Sequence, residues 1–587
     1  MSQDKGIINI LGILTFLLSL VSLIYGGLYI ALPAGDAPLH NFFGIIFLVA
    51  FVLNIILAYV NERGDMGKRV KSWGTGFLVF FLVAILGMWM GGFGASNIYE
   101  PSLANLVLYL VVYPSFLGTF IIGAAHGWLS AKARSSYFAG SRLKFASRRS
   151  RIKMSTGQSV FQVIILIIML LGVFFAYVLI TDYLGLTQCL VSQYALFMAF
   201  FYLALMVLGQ KVNRAPGSPF RYITGFLGVV LFIVFLFPLF LMPRAIDDAE
   251  LSFAHAFGAD WEERLDYEHK EHFRPYEFSL PAYFLGIPTT DYEYERDVLY
   301  YPLNGVEKEV DEGLELYYDV YMPPQDSDAD LPGEGSTLVR IHGGAWIAGT
   351  KGVGSMMQMN KYFASRGYTV FDIQYGLSDR VDLAHMAEEA DFLSFLSDSS
   401  FVENLTLLGS PDHVRGPFNL DDIIRHLGIF TGYLEEHGEK YGANLDSVYF
   451  SGGSAGGHLC TAMALAIDSG DYEHIFSPEI EVSAYVPFYP GYKAYEVLDG
   501  IGGSEEWMDV EILVSPDSPP CLIYQGTSDG MVPPEVARSF YERYREVGNE
   551  KCGVIYLPLA AHASDVQFAG YYNQLFLYYM ERFLSLY

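Results

Sequence analysis

The sequence predicts two units of different fold class: an α-helical polytopic membrane region of about seven spans, followed by an α/β domain with a mostly parallel sheet. Three observations support this division. Seven apolar runs of spanning length lie within residues 1–242, short apolar strands alternate with helical stretches in residues 297–587, and the net charge changes sign between these parts. Residues 243–296, rich in charged and aromatic side chains, are predicted to connect them.

The charge distribution limits the possible partners. Residues 1–242 hold 16 Lys and Arg against 6 Asp and Glu, a net charge of +10, whereas the rest of the chain holds 20 against 58, a net charge of −38. An asymmetry of this size indicates two parts in two environments. The acidic part argues against a nucleic-acid partner, because a phosphate-binding surface has to be basic. Four cysteines are too few for a disulfide framework.

The apolar runs are predicted to cross a membrane as helices. We place the spans at residues 7–31, 41–60, 75–93, 103–125, 158–180, 187–209 and 222–242. A helix of about 20 residues crosses a hydrocarbon core of roughly 30 Å and satisfies its own backbone groups there. No span contains Asp, Glu, Lys or Arg, so the membrane region shows no sign of ion- or proton-coupled transport.

The loops between the spans predict the orientation. Lys and Arg are concentrated in loops 61–74, 126–157 and 210–221, and are absent from loops 32–40, 94–102 and 181–186. Positively charged loops stay in the cytoplasm, so the N-terminus is expected inside and the α/β domain outside. The sequence thus predicts an integral membrane protein, with the plasma membrane as its expected location.

One turn in the α/β part has the pattern of a nucleophile. A predicted strand at residues 447–451 runs into the sequence GGSAGG, residues 452–457, and a helical stretch follows from His458. Glycines two residues before and after Ser454 permit a sharp, strained turn that lifts the hydroxyl above the sheet. The next helix then presents its positive N-terminus to the site. This pattern predicts Ser454 as a catalytic nucleophile.

A glycine-rich turn upstream predicts an oxyanion hole. The sequence HGGAW, residues 342–346, follows a predicted strand at 337–341. A tetrahedral intermediate needs hydrogen-bond donors aimed at its oxyanion, and glycine lets backbone amides approach closely. We expect Gly343, Gly344 and the amide of Ala455 to supply these donors. An ordinary turn after a strand is the alternative, which the pairing with Ser454 disfavours.

A serine nucleophile needs a base, and the base needs an orienting carboxylate. His562 follows a predicted strand at 553–557, and Asp529 follows another at 521–525. In proteins with a nucleophile turn of this kind, the acidic residue usually precedes the histidine in the chain. Asp565 is an alternative acid, although it is closer to His562 in sequence than the usual partner. His458 is predicted to pack within its helix.

Together these stretches resemble the hormone-sensitive-lipase-like and acetyl-esterase branch of the α/β-hydrolases. The matching sequences are DVYMP at 319–323, HGGAW at 342–346, GGSAGG at 452–457, GTSDGMVP at 526–533, and His562. The resemblance covers about residues 297–587. It implies an eight-stranded sheet, Ser–Asp–His chemistry, no cofactor or metal, and short-acyl or other small ester substrates. Many relatives have a third glycine where Ala345 stands. The membrane half resembles no family.

The sequence therefore predicts a membrane-anchored serine hydrolase that cleaves short-acyl or lipid-like carboxylic esters through an acyl-enzyme on the exterior face. Its partners are the ester and the lipid bilayer, and nucleic acid is not among them. Two alternatives stay open: an amide or peptide hydrolase, and a catalytically silent membrane receptor or scaffold. Residues 381–420 could form a lid. Cys521 and Cys552 begin neighbouring strands and could form a disulfide, although two buried free thiols are favoured.

Overall fold

The computed structural model describes residues 3–32, 40–63, 66–137, 155–181, 188–213, 218–324, 331–352, 356–381 and 410–587. Two predicted features lie outside the described residues. One is the basic run at 142–153, and the other is the greater part of the possible lid at 381–420.

The described residues contain seven helices long and apolar enough to cross a membrane, which confirms the predicted number. They are α1 (Gln3–Ala31), α2 (His40–Arg63), α3 (Lys68–Asn97), a span built from α4 (Pro101–Val107), a π-helical turn (Leu108–Val112) and α5 (Tyr113–Tyr137), then α6 (Thr156–Ile180), α7 (Gln188–Val212) and α8 (Pro219–Phe257). The side chains of α7 are mostly buried, whereas the other spans expose long apolar faces. Within the bundle, α7 packs against α2, α3, α6 and α8.

The last span continues well beyond residue 242, its predicted end. α8 passes through Pro238 and Pro243 and stays helical to Phe257, so the first part of the predicted connector is helix. A proline removes one intrahelical donor, and here tertiary packing outweighs that loss. Phe253 and Phe257 are buried against aromatic side chains of the C-terminal helix. One helix thus runs from the apolar helical bundle into the α/β domain.

Eight strands form one sheet, which confirms the predicted mostly parallel eight-stranded architecture. The strands are β1 (Glu293–Tyr301), β2 (Leu316–Met322), β3 (Ser336–Ile341), β4 (Thr369–Ile373), β7 (Asn444–Gly453), β8 (Val482–Phe488), β9 (Cys521–Gly526) and β10 (Cys552–Leu557), with a separate pair β5 (Leu377–Ser378) and β6 (Arg415–Gly416). Their order is β1-β2-β4-β3-β7-β8-β9-β10. β2 runs antiparallel to both neighbours, and every other pair is parallel.

Parallel strands need cover on both faces. The remaining helices are α9 (Trp261–Arg264), α10 (Leu280–Leu285), α11 (Met356–Ala364), α12 (Leu420–His437), α13 (Ala455–Ser469), α14 (Tyr495–Ile501), α15 (Glu505–Met508), α16 (Pro534–Glu546) and α17 (Tyr571–Leu586). Helices α12, α13 and α16 share a hydrophobic core with one face of the sheet.

The opposite face of the sheet shares its core with the membrane region. A single buried cluster contains sheet residues such as Val370 and Leu522, residues of α11 and α17, and residues of the spans such as Phe51 and Phe197. The α/β domain is therefore packed onto the helical bundle through apolar side chains.

Cys521 and Cys552 are register partners in β9 and β10, so the predicted adjacency of their strands is confirmed. Both side chains are buried, and both are free thiols.

Candidate active site

Ser454 lies in a strained turn between β7 and α13. Its φ of +55° is in a region that residues with a side chain rarely adopt. Two residues on, a Cβ at Gly456 would collide with the backbone oxygens of Ile341 and His342, so glycine lets β3 approach the turn closely. The turn presents the serine hydroxyl at the carboxyl edge of the sheet.

His562 lies between Ser454 and Asp529 and forms a hydrogen bond with each. Nε2 of His562 lies 2.9 Å from Oγ of Ser454, and Nδ1 lies 2.8 Å from Oδ2 of Asp529. The other oxygen of Asp529 accepts hydrogen bonds from the amides of Met531 and Val532 at 3.0 and 2.8 Å. The three residues follow β7, β9 and β10, whose carboxyl ends meet at one edge of the sheet. The structure therefore brings together the three residues of the predicted triad.

Asp565, the alternative acid, has a different partner. Its Oδ1 accepts a hydrogen bond from the Tyr489 hydroxyl at 2.6 Å. The Tyr489 ring in turn packs edge-on against the His562 ring, with a centroid distance of 4.7 Å. Of the two carboxylates, Asp529 is the one that forms a hydrogen bond with Nδ1 of His562.

The glycine turn at 342–346 lies beside Ser454. A Cβ at Gly343 would stand 2.7 Å from the Gly453 oxygen and 3.2 Å from the Ser454 Cβ, so this approach requires glycine. Among the described residues, no group accepts a hydrogen bond from the amides of Gly343, Gly344 or Ala455. The amide of Ala455 is free because it begins a helix. Free donors beside the serine hydroxyl suit a developing oxyanion.

His342 and Tyr375 support this glycine turn. Their rings stack at 4.4 Å, and the Tyr375 hydroxyl donates to the His342 carbonyl at 3.0 Å. Burial lowers the pKa of His342 to about 4, so the imidazole is neutral at pH 7. Its Nδ1 lies 2.7 Å from the carbonyl oxygen of Gly343, which can only accept a hydrogen bond. Ala345 adopts a φ of +53°.

A charged cluster, which the sequence did not reveal, ties this part of the site to the membrane region. Nζ of Lys351 lies 2.6 Å from the Tyr99 hydroxyl, from Oδ1 of Asp297 and from Oδ1 of Asp319. The Tyr99 hydroxyl donates to Oδ2 of Asp319 at 2.8 Å. Tyr99 belongs to the short loop between α3 and α4, and Lys351 follows the glycine turn. We call Tyr99, Asp297, Asp319 and Lys351 the junction cluster.

The junction cluster keeps its lysine charged despite burial. Burial alone would lower the pKa of Lys351, but Asp319 and Tyr99 outweigh it and raise the pKa above its ordinary value. Burial, reinforced by Asp319, raises the pKa of Tyr99 to about 12, so its hydroxyl remains a donor. Tyr99 and Lys351 are 252 residues apart in the chain, so no local pattern could have identified their contact.

The loop that carries His562 is also bound to the membrane helices. Asn97, at the end of α3, donates to the carbonyl of Val566 at 2.9 Å. The amide of Phe568 donates to the Ser96 hydroxyl at 3.0 Å. The glycine turn and the histidine loop are therefore both held by contacts to the ends of the spans.

Comparison with known proteins identifies relatives of the C-terminal part. The Mycobacterium tuberculosis protein "Probable carboxylic ester hydrolase LipM" is 26% identical over 275 residues, which cover 43% of this chain and 54% of that protein. "Esterase LipC" of the same organism is 22% identical over 251 residues, 39% of this chain and 53% of that protein. The chain spans about half the length of these curated relatives. No protein-family model matches the chain.

Among solved structures, the apo form of Thermogutta terrifontis esterase 2 is 20% identical and covers 50% of this chain and 92% of that one, with a TM-score of 0.34. The strand order, with β2 alone reversed, and the serine turn between β7 and α13 are those of the α/β-hydrolase fold. The C-terminal part of the chain has this fold.

Proposed function

We propose that this chain is a membrane-anchored serine hydrolase that cleaves carboxylic esters. The observation that carries the proposal is the hydrogen-bonded series Ser454–His562–Asp529 beside free backbone amides. Acyl transfer requires a nucleophile, a base, a carboxylate that orients the base, and hydrogen-bond donors for the oxyanion. The mycobacterial relatives are named as an ester hydrolase and an esterase, which supports the ester bond as the target.

In the proposed mechanism, Ser454 Oγ attacks the carbonyl carbon of the ester while His562 Nε2 takes the hydroxyl proton. The carbonyl oxygen becomes an oxyanion held by the amides of Gly343, Gly344 and Ala455. The C–O bond to the alcohol then breaks, and the alcohol leaves with the proton from His562. Asp529 stays ionised throughout, and it orients the imidazole and stabilises its charged form.

The second half of the reaction returns the enzyme to its starting state. A water molecule gives a proton to His562 and attacks the acyl group on Ser454. The new oxyanion accepts hydrogen bonds from the same amides. The bond between the acyl carbon and Oγ then breaks, and Ser454 recovers its proton from His562. The products are a carboxylic acid and an alcohol, with no redox change.

We propose that the substrate is a small or lipid-like ester that reaches the site near the membrane surface. The histidine loop contacts Ser96 and Asn97 at the end of α3, which brings the site close to the end of a span. The positive loops support a cytoplasmic N-terminus and a plasma-membrane location with the catalytic domain outside. We place the catalytic domain at residues 297–587. Because β1 begins at Glu293, the first strand of the sheet starts four residues earlier.

Two experiments test the proposal. Membranes containing the full chain should be labelled by a fluorophosphonate probe, and Ser454→Ala should abolish labelling and lower ester turnover by about 10⁴-fold or more. The variant should remain folded, since the change is small. Labelling of Ser454→Ala at the wild-type level would show that the nucleophile is another residue. A panel of esters of increasing acyl length, with matched amides, then distinguishes an esterase from an amide or peptide hydrolase. A receptor or scaffold would turn over neither series.

A further inference from the structure

A groove on the lipid-facing surface of the membrane bundle is not used by the proposed hydrolysis. It lies between α2, α7 and α8 and has a volume of about 660 Å³. We call it the lateral groove. Its polar end is lined by Tyr59, Arg63, Gln210, Arg221 and Tyr222. Its other end is lined by apolar side chains, among them Ile55, Leu203 and Val229.

The length of the lateral groove corresponds to one leaflet of a bilayer. On α2 the lining extends from Ile55 to Arg63, which at 1.5 Å per residue is about 12 Å. On α7 it extends from Leu203 to Gln210, or about 10 Å. Half of a hydrocarbon core is roughly 15 Å thick. The groove can therefore accept most of an acyl chain with its headgroup at the polar end.

The polar end carries two arginines with neutral partners. The guanidinium of Arg63 lies 5.2 Å from the centre of the Tyr59 ring. Nε of Arg221 donates to Oε1 of Gln210 at 3.1 Å. In the part of the chain that the structure describes, neither arginine forms an ion pair, and Glu62 pairs with Lys211 at 3.5 Å. Two cations at the membrane surface, held by neutral groups, favour a phosphate.

A small residue and two aromatic residues shape the entrance. Gly225 lines the groove, and a Cβ there would already approach the Gln210 amide nitrogen to 3.3 Å. Tyr222 and Phe226 are 71% and 69% exposed, and tyrosine is enriched at membrane interfaces. From this geometry we infer that the lateral groove binds one anionic phospholipid, with its phosphate at Arg63 and Arg221 and an acyl chain along the apolar wall.

The test measures lipid retention by the purified full chain. The protein is delipidated in detergent, titrated with phosphatidylglycerol or phosphatidylcholine, and the bound lipid is counted by native mass spectrometry. The double variant R63Q/R221Q should bind phosphatidylglycerol roughly 30-fold more weakly, which corresponds to about 1 kcal/mol for each arginine. The control K68Q/R69Q removes the same charge from exposed positions outside the groove and should keep the wild-type affinity.

A second variant tests the shape of the groove without changing its charge. Gly225→Leu should fill the entrance and also lower phosphatidylglycerol binding, while the protein stays monodisperse. Equal binding of phosphatidylglycerol by R63Q/R221Q and K68Q/R69Q would overturn the inference, and so would equal wild-type affinity for the two lipids. Inorganic phosphate should compete poorly, because it lacks the acyl chain. Competition by phosphate as effective as that of the lipid would identify a small-anion site instead.

Discussion

Replacing Lys351 by methionine removes the charge at the centre of the junction cluster while keeping a side chain of similar length. The ammonium of Lys351 contacts three oxygens at 2.6 Å, and the carboxylate of Asp319 has no exposed surface. Loss of one partner of a buried ion pair costs about 3–5 kcal/mol. We expect the lower end, about 3 kcal/mol, because Asp319 keeps its hydrogen bond from Tyr99 and Arg296 lies 3.7 Å away. Asp297 is 67% exposed and adds little.

The assay is thermal unfolding of the detergent-solubilised full chain. At about 2.1 cal/mol/K of unfolding entropy per residue, a domain of about 290 residues loses roughly 1.6 °C for each kcal/mol, so Lys351→Met should lower Tm by roughly 5 °C. Lys440→Met is the matched control, because Lys440 pairs with Glu295 at 3.4 Å in an exposed contact worth about 1 kcal/mol or less. Adding Asp319→Asn to Lys351→Met should restore part of the lost stability, since the charge of Asp319 is then no longer left buried without its lysine. Equal Tm values for Lys351→Met and Lys440→Met would refute the reasoning.

Four further predictions concern the site, the pH response, the cysteines and the topology. Asp529→Asn should lower ester kcat by about 10³- to 10⁴-fold, because the amide no longer stabilises a charged imidazole; a variant within about tenfold of wild type would reject that role. Burial raises the pKa of Asp372 to about 7, above the ~3.9 of an unfolded aspartate, so the folded state retains the proton and stability falls as pH rises from about 4 to about 7. Asp372→Asn should therefore raise Tm more at pH 8 than at pH 5, and a gain independent of pH would contradict this. Alkylation of the unreduced, unfolded chain should modify both Cys521 and Cys552, whereas a mass without both adducts would indicate a disulfide. Accessibility reporters should place the two termini on opposite sides of the membrane, and a result on the same side would mean that the spans are miscounted.

Much of the architecture could be predicted because it depends on local composition. An apolar run of spanning length is recognisable from length and composition alone, so the number of helices that could cross a membrane was predictable from residues 1–242. The serine turn was predictable because the glycines that its strained backbone requires, Gly452 and Gly456, lie two residues before and after Ser454 in the sequence. Asp529 and His562 could be predicted because each follows a strand of a parallel sheet, and parallel strands deliver their carboxyl ends to one edge.

Other features depend on contacts between distant segments, and only the tertiary structure decided them. The helical continuation to Phe257 is stabilised by packing on α17, so the prolines of α8 did not mark its end. His562 pairs with Asp529, and Asp565 pairs with Tyr489. Which carboxylate pairs with the histidine depends on how the fold places side chains from three separate loops. The sequence by itself thus determined the spans, the α/β-hydrolase fold and the candidate nucleophile. The attachment of the site to the membrane bundle through Tyr99 and Lys351 was decided by tertiary structure, because a contact across 252 residues leaves no periodicity or spacing in either segment.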